Sequence, residues 1–444
     1  MAEPVTGVGG GFAGCEAALQ LAKRGVPVRL YEMKPKRFSP AHKSENLCEL
    51  VCSNSFKAAR TDSAAGLLKA EMELLGSVTV RCAKQTAVPA GGALAVDRDL
   101  FSAAVTKAVA AEPLIEVLRE EITEVPRSCV VVVAAGPLAS EALSADISAL
   151  CGAPLSFFDA AAPIVTAESV DMAHAFVQSR YEKGGDDYVN CPMNKAEYEA
   201  FHAALVTAET AVLHDFEKNG IYEGCMPIEV MAKRGENTVR FGPMKPVGLR
   251  DPATGHRPWA VLQLRKENAA GTLYNLVGFQ TNLKFGEQKR VFGMIPALRN
   301  AEFARYGVMH RNTFLHSPGL LTPAFNMIDH PDIFFAGQIT GVEGYMESAA
   351  AGILAGINAA NRVLGKPPFI LPPETMLGAL SHYIADTAVK DFQPMGAAMG
   401  LLPPPEEKIR DKRARYAFLA QRALTALQNE IRQNTPEPET QRNA

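Results

Sequence analysis

The stretch VTGVGGGFAGCEAALQLAKRGVPVRLYEM, residues 5–33, decides the fold. It reads as a strand over about Val5 to Val8, a glycine turn, a helix over about Ala13 to Arg24 and a second strand over about Val26 to Glu32. Gly9, Gly11 and Gly14 stand at G-x-G-x-x-G spacing, with Gly10, Phe12 and Ala13 filling the turn. That spacing turns the backbone tightly, admits a pyrophosphate to the helix N-terminus and lets helix pack close on strand. Glu32 closes the unit about 20 residues on, where a carboxylate accepts hydrogen bonds from a ribose. A lone glycine pattern is equally well a packing turn. Strand, turn, helix, strand and acid in this order predict a dinucleotide site on a doubly wound, Rossmann-type α/β domain.

The pattern returns near the other end. IFFAGQITGVEGYMESAAAGILAGINAANRVLG, residues 333–365, reads as a strand, a turn holding Gly337, Gln338, Gly341 and Gly344, and a helix from about Met346 to Leu364. A late strand-to-helix turn whose helix N-terminus favours negative charge suits the ring end of a long FAD better than NAD, which does not need this second segment. Tyr345 in that turn is placed either to lie against the flavin ring or to pack within the turn.

The rest of the chain is arranged around these two ends. Residues 1–153 form the first part of the FAD-binding domain. Within them, 63–75 and 99–111 have helical spacing, VTVRCAKQTAVPAGGALAVDR reads as short strands with a Gly91-Gly92 turn, IEVLREEITEVP as paired strands, and SCVVVVAAG as a buried parallel strand. From about residue 154 to 300 aromatic residues cluster and the α/β rhythm becomes irregular, predicting an inserted α+β substrate domain. Residues 301–370 complete the FAD-binding domain, 371–433 form a helical C-terminal segment, and the polar tail 434–444 is expected to be disordered.

With 444 residues, 47% hydrophobic and 21% charged, the chain has ample material for such cores. No apolar run reaches about 18 residues and a strand begins near residue 5, so a cytoplasmic protein without a membrane span is expected. The eight cysteines lack a C-x-x-C pair, which predicts free thiols rather than a metal site. A net charge of −3 requires any nucleic-acid contact to be a local basic patch. Most cysteines read as small buried hydrophobes. Cys52 in ELVCSNSF and Cys225 in IYEGCMPIEVMA differ, with polar or glycine neighbours, and are the candidate reactive thiols.

Five motifs together carry a resemblance. VTGVGGGFAGCEAALQLAKRGVPVRLYEM, ELVCSNSF, YEGCMPIEVMA, QKRVFGMIPALRNAEFARYGVMHRNTFLHSP and FFAGQITGVEGYMESAAAGILAGINAAN, in this order, closely resemble the TrmFO family of folate- and FAD-dependent tRNA (uracil-5-)-methyltransferases, from about residue 5 to about 420. The resemblance implies methylation of C5 of uridine 54 in the TΨC loop of tRNA. It implies 5,10-methylenetetrahydrofolate as carbon donor, FAD as cofactor and NAD(P)H as reductant. The family's two cysteines fall on Cys52 and Cys225, with Cys225 expected to add to uracil C6 and Cys52 to act as acid/base or on the flavin side. Two positions depart from the pattern: Gly7 stands where a β-branched residue is usual in the first strand, and Ala135 where flavoprotein turns often have threonine. Alternative readings are the same chemistry on ribosomal RNA, a relative of the longer wobble-uridine flavoprotein GidA, or a catalytically silent FAD-containing RNA-binding protein. Candidate RNA-facing cations are Lys34, Lys36, Arg37 and Lys43, then Arg265, Lys266, Lys284, Lys289 and Arg290, and the dense set Lys408, Arg410, Lys412, Arg413 and Arg415.

Overall fold

The computed structural model describes residues 3–39, 41–152, 155–182, 187–211, 226–390 and 392–434. Its first layer is a parallel five-stranded sheet in the spatial order Ile333–Phe335, Val131–Val133, Val5–Val8, Val28–Tyr31, Ile115–Leu118. Three strands consist almost wholly of buried apolar residues, as expected for a sheet covered on both faces. The chain winds outward from Val5–Val8 in one direction and then resumes on its other side. The order therefore reverses between Val5–Val8 and Val131–Val133, and a doubly wound sheet opens a crevice at that switch point.

Two helices close one face of this sheet. Phe12–Lys23 crosses Tyr345–Val363 so closely that a Cβ on Gly352 would lie 2.2 Å from the Ala13 carbonyl oxygen, and one on Gly356 would lie 2.6 Å from that of Ala17. Only glycine permits this approach. It brings the late turn before Tyr345 beside the early turn at Gly9–Gly11.

The helix expected over residues 63–75 is Ala64–Leu74, with Ser63 as its N-cap. The strands expected in VTVRCAKQ are instead a helix, Val78–Gln85. The Ser77 hydroxyl caps it by accepting from the Val80 N–H at 3.1 Å, and the buried Glu16 carboxylate accepts from the Thr79 N–H at 2.8 Å. This tertiary cap overrides the β-branched propensity of the segment. Of the strand pair expected in IEVLREEITEVP only Ile115–Leu118 forms, paired to Val28–Tyr31.

A second unit hangs from the first by an antiparallel ribbon, Leu155–Ala160 with Met309–Phe314. It contains a six-stranded antiparallel sheet, with Ala260–Lys266 and Tyr188–Met193 near one side and Phe303–Arg305 at the edge. Helices Lys195–Thr207 and Phe285–Phe292 pack on it around a separate core of Tyr198, Phe201, Phe279 and Phe292. The fold is thus a doubly wound α/β unit with an α+β insertion and a helical C-terminal segment. That segment returns to the first core through Met376–Ala385 and Lys412–Asn434, the latter burying Leu419, Ala420, Ala423 and Leu427. Glu71 fastens it by accepting from the N–H groups of Met376 and Leu377 at 2.7 and 2.8 Å, and burial pushes its carboxyl up to about 7.

Candidate active site

At the switch point the glycine turn is constrained from three sides. Gly9 has φ 101°, and a Cβ there would lie 2.5 Å from the Ala134 carbonyl oxygen. A Cβ on Gly14 would lie 1.8 Å from the Gly9 oxygen, so Gly14 works from behind the turn. Gly11 is different: a Cβ there meets nothing within 4 Å. It caps Phe12–Lys23 without a side-chain cap bond, and the first turn carries no acidic residue. The first N–H groups of the helix are therefore left for an anion. Glu32 accepts from the Gly10 N–H through Oε2 and from the Lys34 N–H through Oε1, both at 2.9 Å. A carboxylate has about four acceptor positions, so both oxygens keep capacity for hydroxyl donors.

The cleft above this turn is lined by Gly9, Gly10, Gly11, Phe12, Ala13 and Glu32 on one wall and Ala134 to Ser140 on another, and it is closed by Gly337, Gln338, Tyr345 and Ser348. A second cavity, of about 310 Å³, shares Val51, Pro137, Leu138, Gln338, Tyr345 and Ser348 with it and continues to Cys52, Lys57, Gln280, Asn312 and Glu347. Tyr345 stands at the junction. Its ring stacks on Phe12 at 4.9 Å, and its hydroxyl oxygen accepts from the N–H groups of Val51 and Cys52 at 2.9 and 2.8 Å. The late helix thereby holds the loop that carries the candidate thiol.

Cys52 is half-buried, its Sγ 3.7 Å from the Ala160 carbonyl oxygen. Guanidinium groups surround its loop. Arg98 donates to the carbonyls of Leu50 and Cys52, the latter at 2.7 Å, and Arg305 donates to that of Val51. Arg265 donates to Asn54 Oδ1 at 2.8 and 3.0 Å and to Ser53 Oγ at 3.1 Å. Cys225 lies outside the described residues. On either side of its segment, Ala211 N–H donates to Asn282 O at 2.8 Å and Ile228 N–H to Gln280 O at 2.7 Å, and Gln280 lines the cavity that holds Cys52.

Comparison with known proteins accords with this geometry. The family described as glucose inhibited division protein A matches residues 4–367. "Methylenetetrahydrofolate--tRNA-(uracil-5-)-methyltransferase TrmFO" of Heliobacterium modesticaldum is 57% identical over 431 residues, covering 97% of this chain and 98% of that protein. This chain belongs to the TrmFO branch of the GidA family. The TrmFO of Lactiplantibacillus plantarum is 55% identical over 421 residues, 95% of each chain. The crystal structure of Aquifex aeolicus GidA, form II, superposes with a TM-score of 0.71 at 18% identity, covering 96% of this chain and 73% of that one, a likeness of fold.

Several residues singled out in this TrmFO-family sequence have other duties. Lys34 is buried, donating to the Asn46 carbonyl at 2.7 Å and pairing with Glu49, and Arg265 is buried in the loop clamp, so neither faces RNA. Lys36, Arg37, Lys284 and Arg290 are exposed but paired with Glu120, Glu121, Glu209 and Glu287. Lys412 and Arg413 open the last helix in solvent, Arg413 3.8 Å from Asp62. Cys48 lines the first cleft, and Cys151 and Cys191 are pushed up by burial, Cys151 to about 12. Arg98 and Arg305 had no signature in the sequence: they reach the Cys52 loop only through tertiary structure. Among the described residues no cluster of three or more His, Cys, Asp or Glu is arranged to hold a metal, and no helix is long and apolar enough to cross a membrane.

Proposed function

We propose that this chain methylates C5 of uridine 54 in the TΨC loop of tRNA, with 5,10-methylenetetrahydrofolate as carbon donor and NAD(P)H as reductant. The observation that carries the reading is the continuity of the glycine-turn cleft with the Cys52 cavity through Tyr345. The activity named for relatives 55–57% identical over nearly the whole chain supports the same chemistry.

The cleft fits FAD on its own chemistry. The Gly11 cradle and uncapped helix N-terminus would hold a diphosphate, and Glu32 would accept a ribose hydroxyl. Gly337, Gln338 and Tyr345, on the opposite wall, would border the flavin ring. Bound there, FAD supplies the reduction and one-carbon transfer chemistry that amino-acid side chains lack.

The protein's own groups act on the uracil. The Cys225 thiolate adds to C6, moving the electron pair of the C5–C6 bond toward O4 and making C5 nucleophilic. Once C5 has bonded the one-carbon unit, the Cys52 thiolate takes the C5 proton. The electron pair of that C–H bond forms an exocyclic C5=CH2 as the amine that carried the one-carbon unit leaves. A hydride equivalent then adds to the CH2 carbon, the C5=CH2 pair shifts to restore the C5–C6 double bond, and the Cys225 sulfur is expelled from C6. The hydrogen bonds from the Val51 and Cys52 N–H groups to Tyr345 fix the base during proton transfer. Lys412 and Arg413, with Lys408, Arg410 and Arg415, are the cations we assign to RNA phosphates, and their contacts would make binding salt-dependent.

The assignment of the nucleophile is tested by trapping. RNA containing 5-fluorouracil should form a denaturant-stable adduct with the wild type and with Cys52→Ala, and none with Cys225→Ala. Adduct formation by Cys225→Ala but not by Cys52→Ala exchanges the two roles. No adduct with any of the three proteins removes covalent catalysis.

A further inference from the structure

Every backbone group of the 50–54 loop whose hydrogen bond is described is engaged by a residue from elsewhere in the chain, two of them Arg98 and Arg305, while a third arginine, Arg265, holds the Ser53 and Asn54 side chains. Arg98 opens the helix Arg98–Ala110 of the first unit. Arg265 comes from the interior strand Ala260–Lys266 of the insertion, and Arg305 from its edge strand Phe303–Arg305. They converge on residues 50–54: Arg98 on the Leu50 and Cys52 carbonyls, Arg305 on the Val51 carbonyl, Arg265 on Asn54 and Ser53. Asn54, fully buried, in turn donates to the Val96 carbonyl of the first unit at 2.9 Å and to the Lys266 carbonyl of the insertion at 3.1 Å. The loop is thus a joint between the two units as well as the support of the thiol.

The charges do not balance. Among the described residues one carboxylate answers the three guanidiniums, that of Glu267, which pairs with Arg98 and leaves its Oε2 without a hydrogen bond. Among the described residues two phenols also face the loop, Tyr345 on Val51 and Cys52 and Tyr188 against Arg265. Across the cavity Lys57 pairs with Glu347, cancelling its charge, and Glu343 accepts from Gln338.

We propose that Arg98, Arg265 and Arg305 are positioning residues that lock the 50–54 loop across the two units and hold the Cys52 sulfur as a thiolate. This rests on Cys52 being a reacting thiol of the site described above. Thiolates are favoured beside fixed cations, and Arg cannot release its proton near neutral pH. Burial pushes Arg98 down, yet only to about 10, so it stays charged where the protein works. Arg98 donates to the Cys52 carbonyl at 2.7 Å and Arg265 to the neighbouring Ser53 Oγ at 3.1 Å, so two fixed cations stand beside the thiol.

The test is the pH dependence of iodoacetamide alkylation of Cys52 in the purified full-length protein, followed by peptide mass spectrometry. In the wild type the inflection should lie roughly one to three units below that of a free cysteine. Arg305→Gln should raise it by about one unit, slowing alkylation near pH 6 by roughly tenfold, and Arg305→Lys, which keeps the charge, should restore most of that rate. Glu267→Gln should move the inflection the opposite way. A wild-type inflection at the free-cysteine value, or equal shifts in Arg305→Gln and Arg305→Lys, overturns the proposal without requiring any variant of the buried Arg98 or Arg265. Failure of the functional reading looks different: Cys52→Ala would keep methyl transfer while the wild-type thiol still titrated low.

Discussion

Gly14→Ala and Gly11→Val should both lose flavin, and only the first should also lose stability. The Cβ of Gly14→Ala would lie 1.8 Å from the Gly9 oxygen, where real Cβ atoms stay beyond 3.0 Å, and the obstacle is backbone that cannot rotate away. Either the turn opens or the helix Phe12–Lys23 shifts against Tyr345–Val363, with which it is packed at glycine distance. Backbone strain of this kind costs on the order of 3 kcal/mol, equivalent to about a hundredfold in flavin affinity and several degrees in melting temperature. At Gly11 the backbone angles suit any residue and a Cβ meets nothing within 4 Å. The side chain of Gly11→Val would occupy only the space where a diphosphate approaches the helix N-terminus. Flavin content by absorbance and thermal unfolding of the two variants separate these effects. Equal flavin content in Gly11→Val and wild type would remove the diphosphate from this turn.

Cys52→Ala should retain flavin and tRNA affinity but lower the single-turnover rate of methyl transfer by about 10³-fold, the usual range for loss of a positioned general base. The geometry sets this expectation. The Cys52 N–H is held by Tyr345 and its carbonyl by Arg98, so removing the sulfur leaves the loop in place. Val51 but not Cys52 lines the cleft at the glycine turn, so flavin contacts there do not depend on the sulfur. A fall in KM-dependent terms alone, with an unchanged single-turnover rate, would make Cys52 a binding residue instead.

What the sequence made legible was local. Gly9, Gly11, Gly14 and Glu32 announce themselves because a tight turn, a close helix and a ribose contact act within one strand-helix-strand unit. The helix Ala64–Leu74 announced itself through its apolar period. Val78–Gln85 did not, because the carboxylate that supports its N-terminus belongs to Glu16 in a different helix. The same holds at the thiol. Cys52 stood out through its polar neighbours, but Arg98, Arg265 and Arg305 arrive from three separated strands and helices, and no spacing rule links them. Arg265 was placed with surface cations because Arg-Lys in a polar context usually faces solvent. Its burial follows from Asn54, which supplies the acceptor that lets a guanidinium enter the interior. Tyr345 was legible as a turn aromatic, whereas the use of its hydroxyl by Val51 and Cys52 required the late helix to be seen against a loop almost 300 residues earlier in the chain.

In the proposed reaction the two joined cavities move one carbon from folate to uracil C5. The most direct measurement incubates the purified protein with 5,10-methylenetetrahydrofolate labelled at the methylene carbon, NADPH and an unmodified tRNA transcript, then maps the label by nuclease digestion and mass spectrometry. The account predicts labelled 5-methyluridine at position 54, absent with Cys225→Ala. Label that never enters tRNA, with flavin bound and reducible, would contradict it.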